Sequence, residues 1–489
     1  MATVPQDRIR AVNNGSPRGD GDYVLYWMIA NRRVRWNFSL ERAIEWAATL
    51  RKPLLILEAL RCDYPWASDR LHRFVLQGMA DNRAALKSGP ALYYAYVEPT
   101  PGHGRGLLEA LAERACVVVT DDFPCFVLPQ MVERAGQLIG VKVEAVDSNG
   151  LLPMRSAAKV FARAHDFRRF LQRELKPHLS ESPKSAPFQG RRLPPSPPIP
   201  RSMRDRWPEA SDSLLKAGTG DLAPLPIDHS ICSGRFDGGM FAATRQLDLF
   251  LGERLTRYGD ERNHPDADAT SGLSPYLHFG HLAAHEVFSR IAERERWSPA
   301  ALGDATKGSR SGWWGMSAES ESFLDELVTW RELGFNRCCL SDDFDRYESL
   351  PDWALRTLAD HAGDPRVHVY TLDQFESAAT HDDLWNAAQR QLTGEGRLHN
   401  YLRMLWGKKI LEWSSSPQEA LDLMIELNNK YAVDGRDPNS YSGIFWVLGR
   451  YDRAWGPERP VFGKVRYMSS ENTRRKLRLT EYLERYGPS

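Results

Sequence analysis

The sequence predicts two domains of different fold class, an N-terminal α/β domain and a larger all-helical C-terminal domain. Short apolar runs alternate with helical patterns over residues 21–150, whereas the apolar spacing from about Gly238 onward is helical throughout. Between these regions, residues 177–227 contain eleven of the 31 prolines. A chain of 489 residues is long enough for this organisation. The predicted segments are an α/β domain at 20–176, a proline-rich linker at 177–230 and a helical domain at 231–489.

Five strands and three helices account for the α/β domain. The alternation predicts a parallel, doubly wound, Rossmann-like sheet. No GxGxxG motif follows the first strand, so the usual dinucleotide site is not supported. Ser39 is expected to be the N-cap of the first helix. The predicted strands are Tyr23–Ile29, Pro53–Leu57, Ala91–Val97, Cys116–Thr120 and Val141–Val146. The predicted helices are Ser39–Leu50, Gly106–Arg114 and Leu128–Ile139.

Helices are also the main elements predicted after the prolines. The linker includes the run PPSPPIP at 194–200, and we expect neither a helix nor a central strand there, because proline lacks a backbone donor. The predicted C-terminal helices are Phe241–Leu255, Leu282–Arg296, Ser320–Leu333, Asp382–Leu392, Arg397–Trp413 and Pro417–Tyr431.

Composition excludes several classes of protein. Lys+Arg and Asp+Glu both number 64, which excludes a globally basic, histone-like binder but permits a local basic patch. The longest apolar run, around Pro53–Leu60, is far shorter than the about 20 residues that cross a bilayer, and no secretory signal is visible. The six cysteines form no CxxC motif, which favours reduced thiols over disulfides or zinc. We therefore expect a cytoplasmic protein without a membrane partner or a metal site.

One segment has the composition of an anion site. Thr270, Ser271, Gly272, Leu273 and Ser274 precede a short helical stretch in the string TSGLSPYLHFG. Hydroxyls and free backbone N–H groups at such a position suit phosphate. By composition alone, an ordinary capped turn explains the same residues.

This string, with several others, resembles the photolyase/cryptochrome family. SGLSPYLHFG is similar to the family's flavin-binding signature. Six further strings resemble class II cyclobutane pyrimidine dimer photolyases and keep their order over about 190 residues. They are FLDELVTWRELGFNR (323–337), THDDLWNAAQ (380–389), HNYLRMLW (399–406), KKILEW (408–413), DGRDPN (434–439) and DRAWG (452–456). The N-terminal half resembles the family's antenna domain only loosely.

The resemblance implies FAD as cofactor. Arg403 and Asp434 are then partners across the isoalloxazine ring, where a cation stabilises the reduced, anionic flavin. A plain structural ion pair fits the two residues equally well. Asn428 resembles the residue that lies at flavin N5 in this family. Because the next residue, Asn429, is also an asparagine, either of the two could hold that position. The other implied cofactor-binding residues are Tyr258, Thr270, Ser271, Gly272, Leu273, Ser274, Gly435 and Arg436.

The implied substrate is a cyclobutane dimer in UV-damaged DNA. Glu326 and Trp330 are four residues apart and share one face of a predicted helix, although a salt bridge beside a core tryptophan fits that spacing too. The resemblance implies that Trp330 stacks on the flipped-out dimer and that Glu326 hydrogen-bonds its pyrimidine edge, since photolyases are base-flipping enzymes. Trp446 would form a second apolar wall of the site that holds the dimer. Met404 would add a soft contact, but methionine at helical spacing is also common in cores.

Tryptophans form a third implied group. Trp406 and Trp413 are seven residues apart, a spacing that by itself indicates a buried stripe. The resemblance implies that these two and Trp385 photoreduce the flavin, in an order that sequence does not give. Tyr370 is a candidate to extend the path.

DNA contacts are expected to be basic. Residues 464–478 hold six Lys or Arg against one acid, Glu471, a local charge of +5 that suits phosphate binding. A solvated helix face is the alternative. Arg453 and Arg466 are the candidates for filling the hole left by the flipped dimer.

The sequence therefore predicts a light-driven DNA-repair lyase in which excited reduced FAD donates an electron to the dimer. The alternative is a cryptochrome-like photoreceptor, whose usual long C-terminal tail is not seen here. Repair of (6-4) photoproducts is a further rival, but Asn400 follows His399 where that subfamily would show another histidine. We expect a monomer that needs no protein partner and, in a prokaryote, associates with the nucleoid. A second, antenna chromophore is compatible with the family. Its identity is not indicated, because the Leu151–Met154 segment lacks an expected tryptophan.

Overall fold

Contacts along the backbone divide the chain into two compact units. The structure is a computed structural model that describes residues 4–488. The α/β unit is formed by Met1–Ala157, Glu174–Asp248 and Leu273–Pro299. The helical unit is formed by Ala158–Arg173, Leu249–Gly272 and Ala300–Ser489. This division differs from the predicted boundaries, because the proline-rich segment belongs to the α/β unit and residues 158–173 belong to the helical unit.

A six-stranded sheet forms the centre of the α/β unit. Its strands are β1 (Ile9–Ala11), β2 (Tyr23–Met28), β3 (Leu54–Leu60), β4 (Ala91–Val97), β5 (Ala115–Asp121) and β6 (Val143–Val146). The spatial order is β1-β6-β5-β2-β3-β4, and all neighbours are parallel except β1 and β6. β2 and β5 are buried along their whole length, as expected when helices cover both faces. The five predicted strands are confirmed. β1 was not predicted because three residues carry no readable periodicity.

The helices of this unit show one correction and one omission. The first helix, Phe38–Leu50, is capped by Asn37, whose side chain accepts a hydrogen bond from Leu40 N at 3.2 Å. The prediction of Ser39 as the cap was wrong, since Ser39 is buried and donates to Val146 O. The unpredicted helix Asp69–Leu86 buries Arg70, His72 and Asn82 on its inner face, which masks the apolar stripe in the sequence. The remaining helices that pair with the strands are Leu107–Ala112 and Leu128–Leu138.

A buried carboxylate occupies the position that phosphate takes in dinucleotide-binding domains. Asp121, the last residue of β5, accepts hydrogen bonds from three consecutive backbone N–H groups after β2. The donors are Ile29, Ala30 and Asn31, at 2.8–2.9 Å. In a Rossmann fold, the backbone N–H groups after this strand bind the phosphates of the dinucleotide. Here they bind the Asp121 carboxylate instead, which agrees with the absence of a GxGxxG motif.

The proline-rich segment is folded, so the expectation that it holds no helix was wrong. It contains the short helices Arg201–Arg206, Asp212–Lys216 and Thr219–Leu222. The first begins directly after Pro200, and Ser211 caps the second by accepting from Leu214 N. Proline is compatible with a helix start because the first turn needs no N–H donor from it. The segment's buried side chains join the core of the α/β unit, and they are Ala210, Leu215, Ala217, Leu222 and Leu225.

Helices continue to the end of the described chain, and no strand of the sheet lies between Asp147 and residue 488. The helices from residue 164 to 294 outside the proline-rich segment are Ala164–His178, Met240–Leu249, Leu255–Glu261, Ser274–His278 and Ala284–Arg294. Those from residue 318 to 395 are Ala318–Leu324, Arg331–Leu340, Asp352–Asp360, Leu372–Glu376 and Asp383–Glu395. The last are Asn400–Trp413, Pro417–Tyr431, Pro438–Val447, Ser470–Lys476 and Thr480–Tyr486. Two π-helical segments, Phe250–Arg254 and Asp325–Trp330, interrupt α-helical runs that were predicted as continuous.

Two glycines let the helices of the helical unit approach closely. A Cβ atom on Gly407 would lie 2.5 Å from Val447 Cγ2, and one on Gly334 would lie 2.8 Å from Pro438 O. The Pro438–Val447 helix is therefore packed tightly against both the Asn400–Trp413 and the Arg331–Leu340 helices. This packing places the residues considered below.

Cysteine pairing, helix hydropathy and the grouping of metal-ligating side chains can be described for residues 4–488. None of the six cysteines, all within the described residues, forms a disulfide. Within residues 4–488, no helix has the length and apolar character needed to cross a membrane. Over the same residues, no group of three or more His, Cys, Asp or Glu side chains is arranged to hold a metal ion.

Candidate functional site

An ion pair in the helical unit joins the predicted cofactor residues. Arg403 Nη2 lies 3.2 Å from Asp434 Oδ1, and Arg403 Nη1 donates to Asn428 Oδ1 at 3.3 Å. Asn428 is buried and is held by Ser440, to whose hydroxyl oxygen its amide donates at 2.7 Å. Both charged side chains remain partly exposed, at 20% and 17%. A partly exposed cation and carboxylate thus lie beside a buried amide that hydrogen bonds hold in place.

Gly435 and Arg436 form the loop that carries Asp434. A Cβ atom on Gly435 would lie 2.9 Å from Asn428 O, so the chain passes too close to the preceding helix for a side chain. The buried Arg436 guanidinium donates to the carbonyls of Asn429, in the last turn of the Pro417–Tyr431 helix, and of Ala432 and Val433, which follow that helix. That these two residues contact a cofactor stays a prediction.

The predicted anion segment is divided between the two units. Thr270, Ser271 and Gly272 lie in the helical unit, whereas Leu273 and Ser274 lie in the α/β unit. Gly272 has a φ of +66°, a left-handed conformation that glycine adopts without strain. In the helical unit, the Thr270 carbonyl accepts from Arg254 at 3.3 Å, and Asp268 pairs with both Arg254 and Arg397.

Ser274 begins a short helix in the α/β unit. It is exposed and is the first residue of the Ser274–His278 helix, and Leu273 before it is buried.

Glu326 and Trp330 share the π-helical segment Asp325–Trp330, a rare geometry that is frequent at functional sites. Arg262 donates to Glu326 Oε1 at 2.7 Å and to the hydroxyl oxygen of Tyr258 at 3.3 Å. Burial raises the pKa of the Glu326 carboxyl, and the Arg262 guanidinium opposes that rise. Burial also raises the pKa of Tyr258 to about 12. Two of the predicted residues, Glu326 and Tyr258, are thus connected through one arginine that was not predicted.

The predicted DNA residues line two cavities of the helical unit. Met404 and Trp446 line a cavity of about 390 Å³. Trp330 and Arg453 line a second cavity of about 720 Å³. The two cavities have Trp455 and Arg466 in common. All five predicted DNA residues therefore line this pair of cavities, which together form the depression discussed below.

Trp455 organises the two arginines. The guanidinium of Arg466 lies 4.1 Å from the Trp455 ring centroid, and that of Arg453 lies 4.6 Å from it. Asp452 fixes the arrangement, since it accepts from Trp455 Nε1 at 3.1 Å and pairs with Arg466 at 3.1 Å. Stacking on one ring holds two cations side by side at the edge of the cavities.

A buried lysine lies behind Trp446. Lys408 is fully buried, its ammonium donates to Val447 O, and it lies 5.0 Å from the Trp446 ring centroid. Burial lowers the pKa of Lys408 to about 7, with Asp452 opposing the change and Arg466 adding to it.

The three predicted tryptophans are buried and adjacent. The rings of Trp385 and Trp413 are 6.0 Å apart, and Trp385 Nε1 donates to Trp406 O at 3.0 Å. Trp406 Nε1 donates to Gln389 at 2.8 Å. Tyr370 lies 5.7 Å from Trp413, on the side toward the surface. The geometry gives the order Trp406, Trp385, Trp413, Tyr370, which spacing in the sequence did not.

Part of the predicted basic patch is neutralised within the protein. Lys464 pairs with Glu458 at 3.1 Å, and Arg478 pairs with Glu261 at 3.1 Å. The exposed Arg474, Arg475 and Lys476 end the Ser470–Lys476 helix, and Lys476 lines the smaller cavity. The basic surface therefore reaches the depression at this helix end.

Arg262, Trp455 and Lys408 are the residues that sequence reasoning missed. Arg262 carried no signal, because its partner Glu326 is 64 positions away. Trp455 and Lys408 lie inside the motifs DRAWG and KKILEW, which were quoted without assigning them a role.

The chain resembles curated photo-lyases over nearly its full length. It is 36% identical to the deoxyribodipyrimidine photo-lyase of Methanothermobacter thermautotrophicus, covering 99% of this chain and 98% of the relative. It is 34% identical to that of Oryza sativa subsp. japonica (97% and 89%) and 30% identical to that of Potorous tridactylus (95% and 81%). No protein-family model matches the chain.

Solved structures show the same fold at low sequence identity. The class III photolyase of Agrobacterium tumefaciens matches with a TM-score of 0.66 and 17% identity, covering 95% of this chain and 86% of that one. The Synechocystis cryptochrome matches with a TM-score of 0.66 and 14% identity, covering 95% and 88%. The predicted fold class, α/β followed by helical, is confirmed.

Lys408 generates a pH-dependence that can be measured. Its pKa is about 7 in the folded chain and about 10.4 when unfolded, so between these values the unfolded chain binds more protons and stability rises with pH. Lys408→Met removes this contribution, so the variant should gain stability relative to wild type as pH falls from about 10 to about 7. Urea unfolding across this range measures the difference. Lys464→Met, at an exposed lysine, is the control, and parallel curves for Lys408→Met and wild type would contradict the assignment.

Proposed function

The chain belongs to the deoxyribodipyrimidine photo-lyase family of light-driven DNA-repair enzymes, and we propose that within it this is a class II enzyme that uses FAD to split cyclobutane pyrimidine dimers. One observation carries the proposal most directly. Arg403 pairs with Asp434 while the next residue, Met404, lines the cavity shared with Trp446. Consecutive residues of a helix point in directions about 100° apart, so one turn serves both a cofactor and a substrate.

The donor set around Arg403 suits a flavin. When reduced and excited by light, FAD supplies the electron that splits the dimer. A guanidinium beside the ring stabilises negative charge on it, and Asp434 orients that guanidinium. The amide of Asn428 can donate or accept, which matches a ring nitrogen whose protonation changes with redox state. We propose that Thr270, Ser271, Gly272 and Tyr258, all in the helical unit, belong to the same cofactor site. The roles expected of Leu273 and Ser274 stay predictions.

The depression formed by the two cavities suits a flipped-out dimer. Trp330 lines the larger cavity and Trp446 the smaller one, where Met404 adds a polarisable side chain. Arg262 holds the Glu326 carboxylate in place, so Glu326 can accept hydrogen bonds from a pyrimidine edge. Extruding a dimer costs less than extruding a normal base because a damaged base stacks poorly.

Arginines at the edge of the depression suit binding of the DNA duplex from which the dimer has been flipped out. Arg453 and Arg466 are stacked on Trp455 and are therefore positioned to enter the space a flipped dimer leaves. The exposed end of the Ser470–Lys476 helix adds positive charge for phosphates.

The tryptophans suit a path for reducing the flavin. Trp406 lies on the same helix as Arg403, and Trp385 and Trp413 follow in contact order. We propose that electrons move from Trp413 through Trp385 and Trp406 toward the flavin. All these groups lie in one chain, so we propose a monomer that acts without a protein partner.

Two other light-dependent functions are less well supported. The near-full-length relatives are named photo-lyases, which favours repair over a cryptochrome-like photoreceptor. Repair of (6-4) photoproducts calls for a histidine acid. Burial lowers the pKa of His399 to about 4, so it is neutral at pH 7 and unsuited to that role.

The experiment that tests this function is blue-light repair of a thymine-dimer oligonucleotide by chemically reduced protein, with a dark control. We expect loss of the dimer only in the light. Absence of repair by protein with bound, reduced flavin would contradict the proposal and favour the photoreceptor.

Trp330→Ala should weaken binding to dimer-containing DNA by about 1–3 kcal/mol, the range for losing one aromatic ring that stacks on a base. Fluorescence anisotropy with damaged and undamaged duplexes measures the effect, which should be confined to the damaged one. Trp330→Phe keeps a ring and is the matched control. Equal affinities for all three proteins would remove Trp330 from the lesion site.

Trp406→Phe should block photoreduction of the flavin but leave repair by chemically reduced enzyme intact. The reason is that Trp406 is the first member of the proposed path and contacts no group assigned to the lesion. Absorbance of the flavin under blue light measures photoreduction. Trp353→Phe, a half-buried tryptophan outside the path, is the control. Persistent photoreduction in Trp406→Phe would show that the electrons take another route.

A further inference from the structure

The larger cavity of the helical unit carries an excess of positive charge. Among the described residues that line it, Asp452 is the one carboxylate, and it is already paired with Arg466 at 3.1 Å. Arg168 is matched from outside the lining by Asp325 at 2.7 Å. The arginines that line the cavity are Arg163, Arg168, Arg310, Arg453 and Arg466. Positive charge that exceeds its internal partners attracts an anionic ligand.

Two of these arginines, Arg163 and Arg310, have no role in the site described so far. Both side chains are exposed, and within residues 4–488 neither forms an ion pair. They share the cavity with Trp330, the ring proposed to stack on the dimer. Burial raises the pKa of the Glu326 carboxyl, and the charge of Arg310 opposes that rise. Arg310 therefore lies close to the residues proposed to contact the lesion.

Gln172 fixes the loop immediately before Arg310. Its buried side chain accepts a hydrogen bond from Gly308 N at 2.8 Å and donates one to Ser309 O at 2.9 Å. Gly308 has a φ of +81°, and a Cβ atom on it would lie 2.9 Å from a backbone oxygen of the Ala164–His178 helix. Only glycine therefore lets the loop approach this helix so closely.

A buried carboxylate fixes the same loop after Arg310. Glu321 accepts hydrogen bonds from the backbone N–H groups of Gly312 and Gly315, the second at 2.9 Å. The backbone on both sides of Arg310 is thus held by buried side chains. An arginine on an ordered loop loses less conformational entropy when it binds a ligand.

Arg163 is held by the backbone that precedes Arg453. It forms a parallel bridge with Tyr451. Its carbonyl accepts a hydrogen bond from Phe167 N at 3.2 Å, at the start of the Ala164–His178 helix. Because Arg453 follows Tyr451 by two positions, Arg163 lies beside the segment that carries the proposed DNA residues.

We propose that Arg310 and Arg163 bind the phosphodiester that links the two pyrimidines of the flipped-out dimer. The proposal rests on the proposed function, in which the dimer leaves the duplex and enters the depression. The two bases of a dimer are joined covalently, so they leave the stack together and the phosphate between them moves with them. Guanidinium groups suit phosphate because their N–H donors match two of its oxygens.

This contact favours damaged DNA although a phosphate carries no sequence information. In an undamaged duplex the nucleotides stay stacked, and the phosphate between them stays on the outside of the double helix. Only an extruded dimer brings its linking phosphate to the cavity that Trp330 lines. The two arginines therefore stabilise the flipped state itself, in addition to the general attraction between basic surfaces and DNA.

The experiment measures binding by fluorescence anisotropy, with flavin-loaded protein in the dark. The dimer in the oligonucleotide carries either its natural phosphodiester link or a neutral methylphosphonate link. Arg310→Gln and Arg163→Gln should each weaken binding to the natural dimer by about tenfold, as expected for loss of a charge-assisted contact. The neutral link should weaken wild-type binding at least as much, and with it each substitution should cost less than about twofold, because the two changes remove the same contact.

Two variants serve as controls. Arg310→Lys keeps the charge but not the planar group, and it should retain part of the affinity for the natural dimer. Arg134→Gln changes an exposed arginine of the α/β unit and should bind both oligonucleotides as wild type does.

Comparison of DNA forms separates the linking phosphate from other phosphates. The loss in Arg310→Gln should be equal for single-stranded and duplex oligonucleotides with a dimer, and absent for an undamaged duplex. A loss confined to the duplex would assign the arginines to the complementary strand and overturn the proposal. An equal loss on undamaged DNA, a full loss with the neutral link, or unchanged affinity in both variants would also overturn it. Failure of wild type to prefer dimer-containing DNA would instead contradict the proposed function, so the two failures are distinguishable.

Discussion

Close packing of the Asn400–Trp413 helix is the constraint on which the helical unit depends. Gly407 brings this helix against the Pro438–Val447 helix, at a distance that no larger residue permits. As a result, nine of its residues are buried and its different faces serve different purposes. Arg403 faces the Asp434 pair, Met404 faces the smaller cavity and Trp406 lies in the core. Cofactor chemistry, lesion binding and electron transfer would thus be joined by one rigid element.

Charges in this unit are placed next to specific partners, as a low-dielectric interior requires. Arg403 is matched by Asp434, and Glu326 by Arg262. Lys408 is held differently, since its ammonium donates to a carbonyl and lies against a ring face, and burial lowers its pKa to about 7. Arg453 and Arg466 both stack on Trp455, Arg466 also pairs with Asp452, and both arginines line the larger cavity.

Sequence reasoning predicted what is encoded locally. The strands were found because apolar runs bounded by helical patterns are readable, and β4 agrees in both bounds. Motif resemblance supplied Arg403, Asp434, Trp385 and Trp413, which the structure does bring together in pairs. Contacts between distant parts of the chain could not be predicted from the sequence. The Arg262–Glu326 pair joins residues 64 positions apart. The order of the tryptophans depends on how two helices pack against each other. The proline-rich helices were missed because buried alanines and leucines outweigh local propensity there.

The central claim is that one turn of the Asn400–Trp413 helix holds the cofactor on one side and the lesion on the other. The most direct test is an experimental structure of the protein with FAD and a duplex that contains a cyclobutane dimer. The account predicts that Arg403 and Asn428 contact the flavin ring, and that Met404, Trp446 and Trp330 contact a flipped-out dimer. A flavin bound away from Arg403, or a dimer left within the duplex, would contradict it.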